Sequence, residues 1–151
     1  MATTPLIRTP TDTMSKSRSN RRHPPIGPNA MQEAAALHQR GQLAEAERIY
    51  AAIVACMPDH FDALHLLGVL RQEQRRPAEA LSLIAAALRL NARSADAHAN
   101  YGVVLDGLGR QADAVESFER ALAIDPGHAD ALAGRARTQA VLAGRDATPR
   151  S

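Results

Sequence analysis

The chain has no tryptophan, one cysteine, two tyrosines and two phenylalanines among its 151 residues. A lone Cys56 excludes an intramolecular disulfide and any multi-cysteine metal site. Standing late in an apolar helical stretch, it is expected to be a buried, inert thiol. Aromatics make up 3% of the chain while hydrophobic residues make up 45%. Alanine and leucine must therefore fill the interior, which suits closely approaching helices and not a sheet. No stretch reaches the roughly 18 consecutive apolar residues needed to cross a bilayer. The opening MATTPLIRTPTDTMSKSRSN lacks the apolar core of roughly 7–15 residues that marks a secretory signal, so the expectation is a cytoplasmic protein. Phosphate-binding glycine loops, nucleophile motifs and HExxH pairs are absent as well. Asp59, His60, Asp62 and His65 stand close in sequence but straddle a helix start, so they need not converge. No catalytic residue, metal or cofactor is expected.

What the chain does have is a plan that recurs. FDALHLLGVLRQEQRRPAEALSLIAAALRLNARS, residues 61–94, is followed 34 residues later by ADAHANYGVVLDGLGRQADAVESFERALAIDPGH. Gly68 recurs as Gly102, Ala80 as Ala114, Ile84 as Phe118 and Ala87 as Ala121. Leu67 recurs as Tyr101. An upstream copy places Ala34, Ala46, Tyr50 and Pro58 opposite Gly68, Ala80, Ile84 and Ala92, and Pro126 closes the third copy as Pro58 closes the first. Self-similarity at one fixed period is the mark of stacked repeats.

Each copy carries two apolar stripes at helical spacing. Leu64, Leu67, Val69 and Leu70 make one, and Leu81, Leu83, Ile84, Ala87, Leu88 and Leu90 make the other. Pro77 suits the first turn of a new helix. Gly41 and Gly109 are left-handed helix stops in the other copies. Glycine inside a helix costs about 1 kcal/mol relative to alanine, so its recurrence at 68 and 102 points to close backbone approach, with Ala80 and Ala114 opposite. Helices are expected at 29–40, 43–57, 61–75, 77–91, 95–108 and 111–124, and a last one at 129–142. Asp59, Ser94 and Asp125 are candidates to cap or terminate them. In the last helix Arg135 and Gln139 replace apolar residues, giving the polar face that shields a solenoid's end.

The 34-residue period with two helices per unit resembles the tetratricopeptide repeat over roughly residues 27–143. That resemblance implies an all-α fold, a short right-handed α-solenoid of three helix–turn–helix repeats plus a C-terminal capping helix. The domain map follows, with repeats 27–60, 61–94 and 95–128 and a cap helix 129–142 inside a domain of 29–143. Residues 1–28 read as a disordered basic leader and 144–151 as a disordered tail. Met14 is an alternative start.

The resemblance also implies a concave groove lined by the first helix of each unit. Its residues would be Met31, Ala35, His38 and Gln39; then Asp62, His65, Val69, Gln72 and Glu73; then Asp96, Ala99, Val103 and Asp106; and Arg137 from the cap. Such a mildly acidic surface fits an extended or helical peptide, so the expected function is a non-enzymatic, monomeric adaptor for a protein or peptide partner. A clamp for chaperone C-terminal carboxylates would need basic residues and asparagines at Met31, Ala35, Leu66, Asp96 and Asn100, and only Asn100 agrees. The phrasing PDHFDALHLLGVL…ADAHANYGVVLDGLGR is also similar to the repeats preceding the catalytic half of bacterial O-linked N-acetylglucosamine transferase-like proteins. Their asparagine ladder is met by Asn100 and broken at Leu66 and Gly134. That similarity carries the alternative of a substrate-recruiting front end of a larger glycosyltransferase-like protein. The sequence pI is near 9.2, but residues 1–26 hold Arg8, Lys16, Arg18, Arg21 and Arg22 against Asp12, whereas the remainder holds 13 basic and 15 acidic residues. A nucleic-acid or anionic-membrane binder through the N-terminal arm is the third, disfavoured reading.

Overall fold

Two apolar stripes per unit wind into two helices that can bury them only against each other and against the next unit. The computed structural model describes residues 26–147; the expectations for the leader up to residue 25 and for residues 148–151 lie outside it. Seven helices and no strand make up the described residues: α1 Ala30–Gln39, α2 Leu43–Cys56, α3 Phe61–Glu73, α4 Pro77–Leu90, α5 Ala95–Gly107, α6 Gln111–Ile124 and α7 Ala129–Ala147. Each helix packs on the next in sequence, and the first helices of successive units also meet, α3 on α5 and α5 on α7. The result is an all-α solenoid. The last helix outruns the expected end at 142, because the Arg145 guanidinium donates to Gln111 Oε1 at 2.9 Å and ties its final turn back onto the start of α6.

The turns within units close the same way three times. Gln42, Arg76 and Arg110 each donate their N–H to a carbonyl five residues back, on Leu37, Arg71 and Leu105, at 2.8–2.9 Å. This closure places the preceding residue in the left-handed region. Gly41 and Gly109 accept that at φ 78° and 79°. Arg75 must also adopt it, at φ 61°, where a Cβ is strained. Between units, the helix starts are capped at positions 34 apart. His60 Nδ1, Ser94 Oγ and His128 Nδ1 each accept the N–H of the residue three ahead at 3.2 Å. Ser94 caps as expected. Asp59 and Asp125 do not, since the histidine that follows or nearly follows each one occupies the capping place; Asp125 instead terminates its helix and accepts from the Gly127 N–H.

Packing rests on a large side chain from each second helix. Tyr50, Ile84 and Phe118 are fully buried, as are Ala34, Ala46, Ala80, Ala87, Ala114 and Ala121 around them. A Cβ on Gly68 would lie 2.6 Å from Ile84 Cγ1, and one on Gly102 would lie 2.7 Å from Phe118 Cε1. Close approach therefore holds, but it is governed by Ile84 and Phe118 more than by the alanines; only the Ala80 carbonyl, at 3.3 Å, takes part. Leu67 is buried and Tyr101 half-buried, while Pro58 and Pro126 sit exposed at the junctions. The first two units are also joined by Glu47, which accepts from the Arg71 guanidinium and from Gln74 Nε2 at 2.6 Å. Those bonds, that from Arg71 foremost, hold the Glu47 carboxyl below its ordinary pKa.

Two expectations fail. Cys56 is exposed, because it ends α2 at the place that Leu90 and Ile124 occupy in the next units, on the outward side of each second helix; those two are 43% and 39% exposed. The last helix is also less polar outside than expected, with Leu132 41% exposed and Val141 42%. Leu64 and His98, the counterparts of Leu132, are buried, and among the described residues no second helix follows α7 to cover Leu132. The strained turn yields a test. Arg75→Gly should raise unfolding free energy by about 1 kcal/mol, read as a higher urea midpoint with an unchanged slope; a lower midpoint would refute the account of the turn.

Candidate interaction groove

The first helices α1, α3, α5 and α7 carry the candidate residues at two recurring rows, because a period of 34 returns each position to the same face. His38, Gln72 and Asp106 form one row, and Gln39, Glu73 and Gly107 form the next. Consecutive units are cross-linked along these rows. The His38 imidazole donates from Nε2 to Glu73 Oε2 at 2.8 Å, and its ring stands edge-on to the Tyr50 ring at a centroid distance of 6.1 Å. One unit on, Gln72 Nε2 lies where it would be 3.5 Å from a Cβ on Gly107. The carboxylate that His38 finds in Glu73 has no counterpart there, since Gly107 has no side chain.

This end of the groove holds polar atoms without partners. Neither the Tyr50 hydroxyl nor Gln72 Oε1 has a hydrogen bond, although both are buried. Burial, reinforced by the Glu73 carboxylate, pushes the Tyr50 pKa up. Glu73 is 46% exposed, Asp106 is half-buried, and Gln39 and Arg137 face solvent. Asp106 has no side-chain partner among the described residues.

At the opposite end, Asp62 and Asp96 lie in the first turns of α3 and α5 and are exposed. Asp130 continues the row on α7, a residue the sequence reading left out although its offset from Asp96 is again 34. Carboxylates there complement the positive end of each helix dipole. His128 donates from Nε2 to Asp96 Oδ1 at 2.8 Å, joining the residue that caps α7 to the first turn of α5. Between the two ends, Met31, Ala35, Val69 and Val103 are half-buried.

Two expected groove residues are not open to a partner. Ala99 is 2% exposed and belongs to the core cluster around Phe118, because its methyl is too short to leave the packed face. His65 is 8% exposed, and its Nε2 accepts from the Asn100 amide at 2.8 Å. It does not pair with His98, whose Nε2 donates to the Ala92 carbonyl at 2.8 Å. Desolvation lowers the His65 pKa below 6.5, with Asp96 and Asp62 pulling the other way. Among the described residues no three metal-ligating side chains converge, and no helix is long and apolar enough to cross a membrane.

Sequence reasoning also missed a second concavity, of about 450 Å³, between α4, α5 and α6 on the side away from the groove. Leu88, Tyr101 and Leu105 give it an apolar floor, and Arg89, Arg110 and Arg120 stand around it. Two of these cations are already paired with acids of α6, Arg110 with Asp113 at 3.0 Å and Arg120 with Glu116 at 2.6 Å.

Residues 65–129 match the family model described as Tetratricopeptide repeat. The chain is 26% identical over 104 residues to the probable UDP-N-acetylglucosamine–peptide N-acetylglucosaminyltransferase SPINDLY of Hordeum vulgare. That match takes in 69% of this chain and 11% of the relative's length. Among solved structures, the first TPR of Spaghetti (RPAP3) bound to the HSP90 peptide SRMEEVD superposes with a TM-score of 0.73 at 19% identity, covering 76% of this chain and 90% of that one. An O-GlcNAc transferase of Thermobaculum terrenum superposes with a TM-score of 0.70 at 25% identity, covering 87% of this chain and 23% of that one.

The buried histidine makes stability depend on pH. Its folded-state pKa is lowered, so the unfolded chain binds the extra proton as pH falls through about 6.5. Stability is complete above that value and declines below it until the folded-state pKa is reached. The urea midpoint should therefore fall between pH 7.5 and 5, and His65→Gln should shrink the fall. A His65→Gln protein with the full wild-type pH slope would contradict this assignment.

Proposed function

We propose that this chain, a member of the tetratricopeptide-repeat family, is a non-enzymatic adaptor that holds an extended segment of a partner protein in the groove of α1, α3, α5 and α7. The observation that carries the reading is the line of carboxylates along those helices, Asp62, Asp96 and Asp130 at one end and Glu73 and Asp106 at the other, with half-buried Val69 and Val103 between its ends. An extended segment would set alternate side chains against the apolar middle and present its polar backbone to Gln72 and the carboxylates. Protein and peptide binding is what the family's fold serves in the peptide-bound relative, and that supports the reading. The acidic character of this groove separates it from a site for a peptide such as SRMEEVD, whose own carboxylates would be repelled. The chain is taken to act as a monomer.

A second reading draws on the two transferase similarities. In it, the same groove recruits a protein substrate for a glycosyltransferase domain outside this sequence. The chain spans 11% of the curated relative it matches, so any transferase activity belongs to that reading alone. Binding through the basic N-terminal arm falls on residues outside those described.

Site-specific photo-crosslinking tests the groove. A photoreactive residue at Val69 or Val103 should capture a protein partner, and one at Ser82 or Glu116, on second helices, should not. Capture from the second-helix positions alone would place the interaction elsewhere.

A further inference from the structure

We infer that the concavity between α4, α5 and α6 is a binding site for a small amphipathic anion, a carboxylate carried on a flat apolar body. This site is separate from the groove and does not depend on it. Its origin lies in two junctions that the 34-residue period makes equivalent. Where α2, α3 and α4 meet, the Arg71 guanidinium bridges the space, bound to Glu47 of α2 and, at 3.0 Å, to Glu79 of α4. One unit on, the counterparts of Arg71 and Glu47 are Leu105 and Leu81. Neither leucine has a group to bridge with, and about 450 Å³ stays open between the helices.

The rim changes in the opposite sense. Arg89 and Arg120 stand where the earlier junction has Ala55 and Ala86. Arg89 has no partner among the described residues. Arg120 gives one nitrogen to Glu116, and Arg110 pairs with Asp113. All four side chains of these two pairs are exposed, so each pair is worth little in water and an entering anion can share its cation. Three guanidiniums against two carboxylates leave the lining with one positive charge to spare. That matches a monoanion; a phosphate would bring a second negative charge towards Asp113 and Glu116.

The floor takes the rest of the ligand. Leu88, Leu105 and the Tyr101 ring offer an apolar surface on which a flat body can lie. The Tyr101 hydroxyl has no partner among the described residues and is a further donor for the anion. Behind them the wall is fixed. His98 and Ser117, 8% and 4% exposed, donate to the Ala92 and His98 carbonyls at 2.8 Å each. Small-molecule sites of roughly 300–1,000 Å³ combine such an apolar lining with a few orienting polar groups. The guanidinium fork meets a carboxylate with two parallel bonds, which selects that head group.

The test titrates the full chain with anilinonaphthalene sulfonate, an apolar monoanion that fluoresces in apolar surroundings, and then displaces it with naphthoate or the uncharged naphthamide. Naphthoate should displace the dye and naphthamide should not. Arg89→Ala with Arg120→Ala returns both rim positions to the residues of the earlier junction and should weaken dye binding by about tenfold or more. Arg40→Ala with Arg48→Ala, equal in charge and exposed in the first unit, should stay within about twofold. Leu132→Ser with Val141→Ser removes the exposed apolar side chains of α7 and should leave affinity unchanged. Equal displacement by naphthamide would make the concavity a mere apolar trap. Dye binding lost with the α7 variant but kept in the rim variant would place it at the end of the solenoid. Either result, or no saturable dye binding at all, would overturn the inference.

Discussion

The insertion of one large side chain per unit into a notch of small residues is what the rest of the fold depends on. Phe118 shows it best. Its ring lies so close to α5 and α7 that a Cβ on Gly102 or on Gly134 would stand 2.7 Å or 2.5 Å from it. One residue of α6 therefore registers the first helix of its own unit and the first helix of the next. Ile84 does the same against Gly68, and Tyr50 occupies the equivalent place beside Ala34 in the first unit's core. Because interiors are packed to crystal-like density, these contacts fix the distance between first helices. That distance in turn decides which groove side chains can reach across.

The cross-unit contacts of the groove follow from this spacing. His38 reaches Glu73, Asn100 reaches His65, and His128 reaches Asp96, each at 2.8 Å and 32 to 35 residues apart. All are one repeat apart, give or take a residue or two, so neighbouring first helices stay at side-chain hydrogen-bonding distance along the stack. Function in such an array comes from the exceptions. Gly107, in the row of Glu73, brings no side chain to meet Gln72 as Glu73 meets His38; Tyr50, in the row of Ile84 and Phe118, brings a hydroxyl where the others bring only carbon.

The helices, their turns and the close approach at Gly68 and Gly102 were legible in the sequence because a gapless period aligns three independent copies of the same physics; that Ile84 and Phe118, more than Ala80 and Ala114, fill that approach was not. Individual environments were less legible. Cys56 looks apolar in its own stretch, and only its alignment with Leu90 and Ile124 reveals the outward side. Ala99 falls on the groove face by position, yet its methyl is swallowed by the Phe118 cluster. Arg75 occupies a glycine's conformation that no propensity would assign to it; the i to i−5 hydrogen bond imposes it. The cation-ringed concavity between α4 and α6 arises between second helices, where a family resemblance that points to first helices gives no signal.

A double-mutant cycle at Gly102 and Phe118 tests the central contact most directly. In the wild-type background Gly102→Ala should lower unfolding free energy, because overpacking costs about 1–3 kcal/mol and outweighs alanine's helical advantage of about 1 kcal/mol. With Phe118→Leu in place, the ring atoms facing that Cβ are gone, so the same alanine should become neutral or stabilising. The account predicts a coupling of about 1 kcal/mol or more; effects that add to within about 0.3–0.5 kcal/mol, as independent sites do, would contradict it.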